Sequence, residues 1–398
     1  MADFIITSLQ SWDIGIGSTI KNTALEISKK DRVFYINTPS TFPNWLHSPM
    51  RKNDLFVNAN FQVIYCNFPA LPANSMPSKC LFDIVNYYNN YRIALTIKTA
   101  IQRYKIQDFI LLIDTDLFRS RYLKQLLHPA ISVYYRRDYV IGVNYWQKYG
   151  PVCEQFIVKE SDIVLTNSSY FTEELRPFNH NIHTTNTGVN LQLYDASMVH
   201  DVPKDLESIP APRIGYTGAI IQSRLDAELL YTIIQQLPQY SFVFVGPEDE
   251  YFAHHPLHTL RNVYFTGKKV VAELPAYIQH FNICINPQLV NPITEGNYPL
   301  KIDEYLAMGK PVVSTSTHTM RDVFAQYVHL ATDTNSYLCA IQEALNEIND
   351  NNLKAERIAF AHTHSWAHSV EKIYAAIEEF QRNTKNKCHE AIKNKRKD

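Results

Sequence analysis

The sequence predicts an α/β chain built from two parallel, doubly wound sheets, one in each half. Three observations predict this. Short apolar strands alternate with helices in both halves. A polar, proline-bearing stretch without periodicity, residues 196–212, separates them. Most of the 11 glycines fall at the carboxyl end of a predicted strand, where α/β sheets place their ligand loops.

The first half, residues 1–195, opens on an apolar strand at 4–7, followed by Gly15 and Gly17 and a helix at 19–29. Further strands are predicted at 33–36, 62–65, 109–113, 133–135 and 163–166, with helices at 81–103, 145–159 and 169–175. The second half, residues 213–364, carries strands at 213–217, 241–245, 263–266, 283–286, 311–314 and 328–330. Its helices are predicted at 226–236, 274–280, 300–308 and 335–347. A last helix, 365–381, is amphipathic through Trp366, Val370, Ile373, Tyr374 and Ile377, and is expected to cross back to the first domain. The basic, polar tail 382–398 is expected to be frayed.

Composition narrows the function classes. A chain of 398 residues is too long for one ordinary domain, and its 45% hydrophobic content supports two cores. A formal net charge of −1 gives no global field that would draw it to nucleic acid. Six scattered cysteines, Cys66, Cys80, Cys153, Cys284, Cys339 and Cys388, lack CxxC or Cys/His spacing and read as reduced thiols. The start MADFIITSLQSWD lacks the pattern of a signal peptide, and no apolar stretch approaches the roughly 18 residues of a membrane span. A cytoplasmic location is expected.

The stretch 297–315, NYPLKIDEYLAMGKPVVST, carries the most chemistry. Asn297 is an N-cap candidate, Pro299 fits the first turn, and Leu300 begins the helix. Gly309 suits a left-handed stop, and Pro311 prevents resumption. Lys301 and Glu304 are three apart and share one face near the helix start. A helix N-terminus favours an anion, and Lys301 adds a charge there. A carboxylate one turn on can accept hydrogen bonds from vicinal hydroxyls, so phosphate followed by ribose, the shape of a nucleotide, fits. An ordinary surface Lys/Glu pair remains the alternative on the motif alone.

Taken together, four segments resemble the GT-B glycosyltransferases, specifically retaining, nucleotide-sugar-dependent family 4 and its teichuronic-acid-type and capsule-type relatives. They are SWDIGIGSTIKNTALEISKKDRVFYIN, SDIVLTNSSYFTEEL with NTGVNLQLYD, RIGYTGAIIQSRLDAELL, and NVYFTGKKVVAELPAYIQHFNICINP with the motif above. The resemblance implies two Rossmann-like domains facing a cleft, with the C-terminal helix crossing back. It implies transfer of a sugar, with retention, from a UDP- or GDP-linked donor to a glycan or lipid-linked hydroxyl acceptor in cell-surface polysaccharide synthesis. The nucleotide sugar is then substrate, and neither a separate cofactor nor a metal is expected. Peripheral contact with the inner membrane surface is a further alternative, tied to the aromatic loop 40–52 and a lipid-linked acceptor.

Carried over residue by residue, Glu304 becomes the ribose carboxylate and Lys301 a diphosphate contact. Arg224 reaches the same phosphates from the loop after Gly218. Gly267 and Lys268 lie beside the base, Gly17 abuts the donor from the acceptor domain, and Pro299 and Leu300 line the donor-helix entry. The family usually has a first glutamate eight positions before the second, but Gly296 stands there, with Glu295 one place back. Glu295 therefore meets the donor sugar only if the loop absorbs one residue. Asp138, just after a first-domain strand, is the candidate to orient or deprotonate the acceptor hydroxyl. Its alternative is a surface cluster with Arg136 and Arg137. Asp114 and Asp116 read as caps or loop carboxylates, and the aromatic loop 40–52 as an ordinary ordered loop, with an acceptor cover or membrane contact as the alternative. Two other functions stay open: a sugar-nucleotide epimerase on the same scaffold and a non-catalytic nucleotide-sugar binding subunit.

Overall fold

The computed structural model describes residues 2–14, 18–47 and 52–394. The chain forms two compact units, Met1–Thr185 with Ser369–Asp398, and Asn186–His368.

The first unit holds an eight-stranded sheet. Its strands are β1 (Asp3–Ser8), β2 (Arg32–Ile36), β3 (Leu55–Asn58), β4 (Phe61–Ile64), β5 (Phe109–Asp114), β6 (Ile131–Arg136), β7 (Ile163–Thr166) and β8 (Ile182–Thr184). They lie in the order β8-β7-β6-β5-β1-β2-β4-β3, and only the β3–β4 pair is antiparallel. The principal helices are α1 (Thr19–Ile27), α2 (Lys79–Tyr104), α3 (Gly150–Glu160) and α4 (Ser169–Leu175). Because both faces of a parallel sheet are covered, its central strands read as unbroken apolar runs; all six residues of β1 and of β5 are buried. Ile5, Phe34, Leu111 and Ile113 pack under α2 and α3, while Phe4, Ile6, Val33 and Tyr35 face α1 and the returning C-terminal helix.

The second unit is a six-stranded, wholly parallel sheet of β9 (Arg213–Thr217), β10 (Ser241–Val245), β11 (Val263–Gly267), β12 (Ile283–Asn286), β13 (Val312–Thr315) and β14 (His329–Ala331). The order is β11-β10-β9-β12-β13-β14, so the winding direction reverses between β9 and β12. Its helices are α5 (Ala227–Gln236), α6 (Leu274–Gln279), α7 (Leu300–Ala307), α8 (Thr334–Asn346) and α9 (Asn351–His362). The chain then enters α10 (Trp366–Asn394), which buries Val370, Ile373, Ala376 and Ile377 against the first sheet. Tyr374 seats its ring on Phe4 with centroids 5.9 Å apart and donates to Asp31 Oδ2 at 2.7 Å.

Several elements differ from expectation. The last helix runs past 381 to Asn394, so most of the tail expected to be frayed is helical. Residues 145–159 are not one helix, because Asn144–Gln147 and α3 are separate. The segment 196–212 is no free linker: Leu206 and Ile209 are buried in the second unit's core with Val189 and Tyr194. Val189 also bridges to Ser365, so the units divide at Thr185 rather than at 195. Of the cysteines, Cys66, Cys153 and Cys284 are buried, and burial raises all three thiol pKa values; Cys80 and Cys339 are exposed.

Candidate active site

The candidate site forms at the carboxyl ends of the second sheet, beside the reversal between β9 and β12. This is where open α/β sheets leave a crevice for ligands. After β9 the chain turns at Gly218, whose N–H donates to Val245 O at 2.9 Å. The neighbouring Gly246 has φ +157°, and a β-carbon on it would stand 1.8 Å from Gly218 O, so the two turns meet backbone to backbone. The loop beyond Gly218 is pinned to the loop after β12 by Asp226 N–H to Pro287 O at 3.0 Å and Leu289 N–H to Arg224 O at 2.9 Å. Arg224 is thereby held at the reversal point.

α7 is fixed at both ends. Its apolar side buries Ile302, Tyr305 and Leu306. Tyr305 Oη accepts from Thr217 N at 2.7 Å and from Thr217 Oγ1 at 3.1 Å, tying the helix to the end of β9. Gly309, at φ +70°, stops the helix: its N–H donates to Leu306 O at 2.8 Å and that of Lys310 to Tyr305 O at 3.0 Å. This doubly bonded glycine stop satisfies the last carbonyls. At the start the expectation fails. Pro299, not Asn297, is the N-cap residue, and no side chain caps the helix. The backbone N–H of Asn297 donates to Thr294 O at 3.2 Å in the preceding turn. A helix start of this kind favours an anionic ligand.

Lys301 reaches from α7 to the β9 turn. Its Nζ donates to Tyr216 Oη at 2.7 Å and lies 4.1 Å from the Tyr216 ring centroid. A β-carbon placed on Gly218 would be 3.0 Å from that Nζ. Tyr216 in turn donates to Ala219 O at 3.0 Å, so its own proton is committed. Burial, reinforced by Arg224, lowers the Lys301 pKa to about 7, while Glu304 opposes the shift. Burial likewise raises Glu304 to about 7, against the Tyr194 hydroxyl and Lys301, which favour its charged form. A cation pair and a carboxylate are therefore gathered on one side of α7, with the pKa values of both helix groups shifted toward neutral pH by burial.

The loop before α7 contributes Glu295. Its Oε1 accepts from Arg321 at 3.0 Å, whereas Oε2 is buried without a hydrogen-bond partner among the described residues. An orphaned buried acceptor is costly, and a sugar hydroxyl would satisfy it. Gly267, at φ +71°, opens onto empty space at the end of β11. Lys268 beside it is exposed, while Lys269 pairs with Asp205 at 2.7 Å.

Asp138 belongs to the other unit, just past β6, and is half-buried. The arginines of the cluster considered for it, Arg136 and Arg137, are buried rather than at the surface. Arg136 is 1% exposed, 3.1 Å from Glu174 and 3.5 Å from Glu154, and Arg137 is buried against Asp114. Asp114 also accepts from Ser8 Oγ at 2.6 Å, and Asp116 pairs with Arg119 at 3.0 Å, so both are buried ion-pair members rather than caps. Gly17 lies outside the described residues, as does part of the loop 40–52, whose residues Phe42–His47 form a short helix. Among the described residues no group of three His, Cys, Asp or Glu is placed to hold a metal ion.

The structure thus brings together Gly218, Arg224, Lys301 and Glu304, with Pro299, Leu300 and Glu295 on the approach. Four contributors escaped the sequence reading: Tyr216, Tyr194, Tyr305 and the buried group of Asp303, Tyr298 and His364. In that group Asp303 Oδ1 is 2.8 Å from His364 Nδ1, and Oδ2 accepts from Tyr298 at 2.8 Å. Strand alternation placed Tyr216 inward, but nothing local marked its hydroxyl as a lysine partner.

This arrangement is that of a GT-B protein, and comparison with known proteins agrees. The family model described as glycosyl transferases group 1 matches residues 211–348, the region that carries the site. Solved structures share the fold over nearly the whole chain. Sucrose-phosphate synthase from Thermosynechococcus elongatus is 16% identical with a TM-score of 0.68, covering 96% of this chain and 100% of that one. Anabaena HepE, solved in complex with UDP, is 13% identical with a TM-score of 0.65, covering 95% and 100%. The E. coli trehalose-6-phosphate structure bound with UDP-2-fluoro glucose is 9% identical with a TM-score of 0.70, covering 94% and 98%.

The chain has the GT-B fold, and its second unit carries the match to glycosyl transferases group 1. A curated relative, TuaH of Bacillus subtilis, bears the name of a teichuronic acid biosynthesis glycosyltransferase and is 27% identical over 219 residues. That match covers 53% of this chain and 55% of the relative, about half of each.

Proposed function

We propose that the protein transfers a sugar from a nucleotide-sugar donor to a hydroxyl acceptor, with the donor held by the second unit. One observation carries the reading: Lys301 Nζ stands over the Gly218 turn, with the Arg224 charge beside it and Glu304 on the same helix. Lys301 and Arg224 receive the diphosphate and Glu304 the ribose. Gly267 and Lys268 are assigned to the base and Glu295 Oε2 to the donor sugar. Breaking a sugar–phosphate bond builds negative charge on the departing diphosphate, and fixed cations at a helix N-terminus stabilise that charge most where it is greatest. Asp138 is assigned to the acceptor hydroxyl.

The finer points rest on the relatives. HepE has been solved with UDP and with UDP and glucose, and the trehalose-6-phosphate synthase work concerns glycosyl transfer with retention. On that ground we assign a UDP-linked donor, with GDP as the alternative, and retention. The teichuronic acid relative supports a glycan or lipid-linked acceptor in cell-surface polysaccharide synthesis. No described helix is long and apolar enough to cross a membrane; we assign a peripheral contact with the inner membrane surface.

Calorimetric titration with UDP and GDP tests the donor site. Lys301→Ala should weaken binding about tenfold or more, the usual loss when a charged hydrogen-bond partner is removed. Release of the nucleoside diphosphate and appearance of glycosylated acceptor, followed by NMR across an acceptor panel, test the reaction. Wild-type turnover and affinity in both Lys301→Ala and Glu304→Ala would refute the assignment.

A further inference from the structure

α2 is apolar on both sides over its first half. Its buried side carries Phe82 together with three asparagines, and the amide nitrogen of each asparagine donates to a backbone carbonyl. Asn86 and Asn90 donate to Phe118 O at 2.6 and 2.7 Å, Asn89 exchanges bonds with Leu71 at 2.9 and 3.0 Å, and Asn90 accepts from Tyr122 N at 2.9 Å. The outward side carries Leu81, Ile84, Tyr87, Tyr88, Tyr91 and Leu95, between 41% and 60% exposed. Positions 81, 84, 88, 91 and 95 recur at steps of three and four, so they form one stripe about 21 Å long at 1.5 Å per residue. Scattered exposed apolar residues need no explanation, but a contiguous stripe marks an interaction surface.

Charge says which partner fits. Between Asp83 and Asp108 the sequence has no acidic residue and four cations, Arg92, Lys98, Arg103 and Lys105. Asp83 is bound to Lys79 and Arg121, both at 2.6 Å, and Arg103 pairs with Asp54. Arg92, Lys98 and Lys105 have no carboxylate partner among the described residues; Arg92 sits 4.7 Å from the Phe68 ring centroid and donates to Tyr88 Oη at 2.9 Å. Pairing this face with a second copy of itself would oppose cation to cation. An anionic lipid surface meets both features, since tyrosine rings settle at the headgroup level and flanking cations meet the lipid phosphates.

We propose that the outward face of α2 is a peripheral docking surface for anionic membrane, lying parallel to the bilayer plane. The proposal is independent of the donor-site assignment. Its test is sedimentation of the full chain with phosphatidylcholine vesicles and with vesicles containing phosphatidylglycerol. The protein should pellet with the anionic vesicles, less so as salt is raised. The exposed-face variant Ile84→Ser/Tyr91→Ser/Leu95→Ser should bind at least about tenfold more weakly, with an unchanged melting transition, because each site loses membrane-facing apolar area. Lys98→Glu/Lys105→Glu should also lose anionic binding while leaving the stripe intact. Absence of pelleting with anionic vesicles, or equal pelleting of wild type and both variants, would overturn the proposal. So would a wild-type dimer that ignores vesicles and is broken by the serine variant, which would make the stripe a self-association face.

Discussion

Lys301 and Glu304 hold their protons in opposite senses, and both consequences can be measured. The Lys301 pKa is lowered to about 7, so the free site is only partly cationic at neutral pH. A diphosphate favours the charged form, so binding should take up a proton and weaken as pH rises above 7. Calorimetry in buffers of different ionisation enthalpy reads that uptake, and Lys301→Arg, always charged, should lose the pH dependence. For stability the signs separate. Glu304, raised to about 7, contributes stability that is present below its unfolded value of 4.5 and is lost as pH rises through 7. Lys301, lowered from 10.5, makes the unfolded chain the better proton binder between about 7 and 10.5, so stability rises with pH there. The second unit should therefore show a dip in Tm near pH 7. Glu304→Gln should raise stability at pH 8 by on the order of 1–2 kcal/mol, less than the full pKa shift because the group is half-buried. The pair itself was legible in the sequence, because a cation and a carboxylate three apart on one short helix are a local pattern. Its tuning was not, since Tyr216 lies 85 residues from Lys301 and His364 lies 61 from Asp303, and no periodicity links such distances.

The elements that carry the site are set by close backbone approach. Gly246→Ala would press a methyl onto Gly218 O and must move one of the two turns. We expect a loss of about 2–3 kcal/mol in chemical denaturation, typical of overpacking against backbone. UDP affinity should fall as well, because the moved turn underlies Lys301. The strands of both sheets were readable where they are central, since burial on two faces leaves continuous apolar runs such as FILLID in β5. β3 was not, because it is a largely exposed antiparallel edge and lacks that signature. α9 escaped for a similar reason: only Arg357 and Ala361 of its residues are buried, so its apolar face is narrow. The entry to α7 was misread because the capping role fell to Pro299, which has no side-chain acceptor, while Asn297 served the turn before it.

At the scale of the whole molecule, the first unit is completed by a helix that follows the second unit in the chain. Removing residues 369–398 would uncover the sheet face of Phe4, Ile6 and Val33 and delete the bond from Tyr374 to Asp31. Loss of four buried apolar side chains should destabilise that unit by on the order of 5 kcal/mol. The second unit, Asn186–His368, keeps its own core, so a UDP-dependent melting shift should persist in the truncated chain. Differential scanning calorimetry that showed one transition lost and the other still ligand-responsive would agree. Loss of both would mean the second unit does not stand alone.

The distribution of thiols gives each unit its own chemical handle. Cys66, Cys153 and Cys284 are buried and held as unreactive thiols, whereas Cys80 is exposed in the first unit and Cys339 in the second. With Cys388 replaced, the native chain offers one accessible attachment point per unit for a donor and an acceptor dye. Energy transfer between them, recorded with and without UDP, would report relative movement of the two units without introducing a new cysteine. Cys80 also lies in the first turn of α2, beside Leu81. A polarity-sensitive fluorophore there would turn the same side chain into an optical reporter of lipid contact.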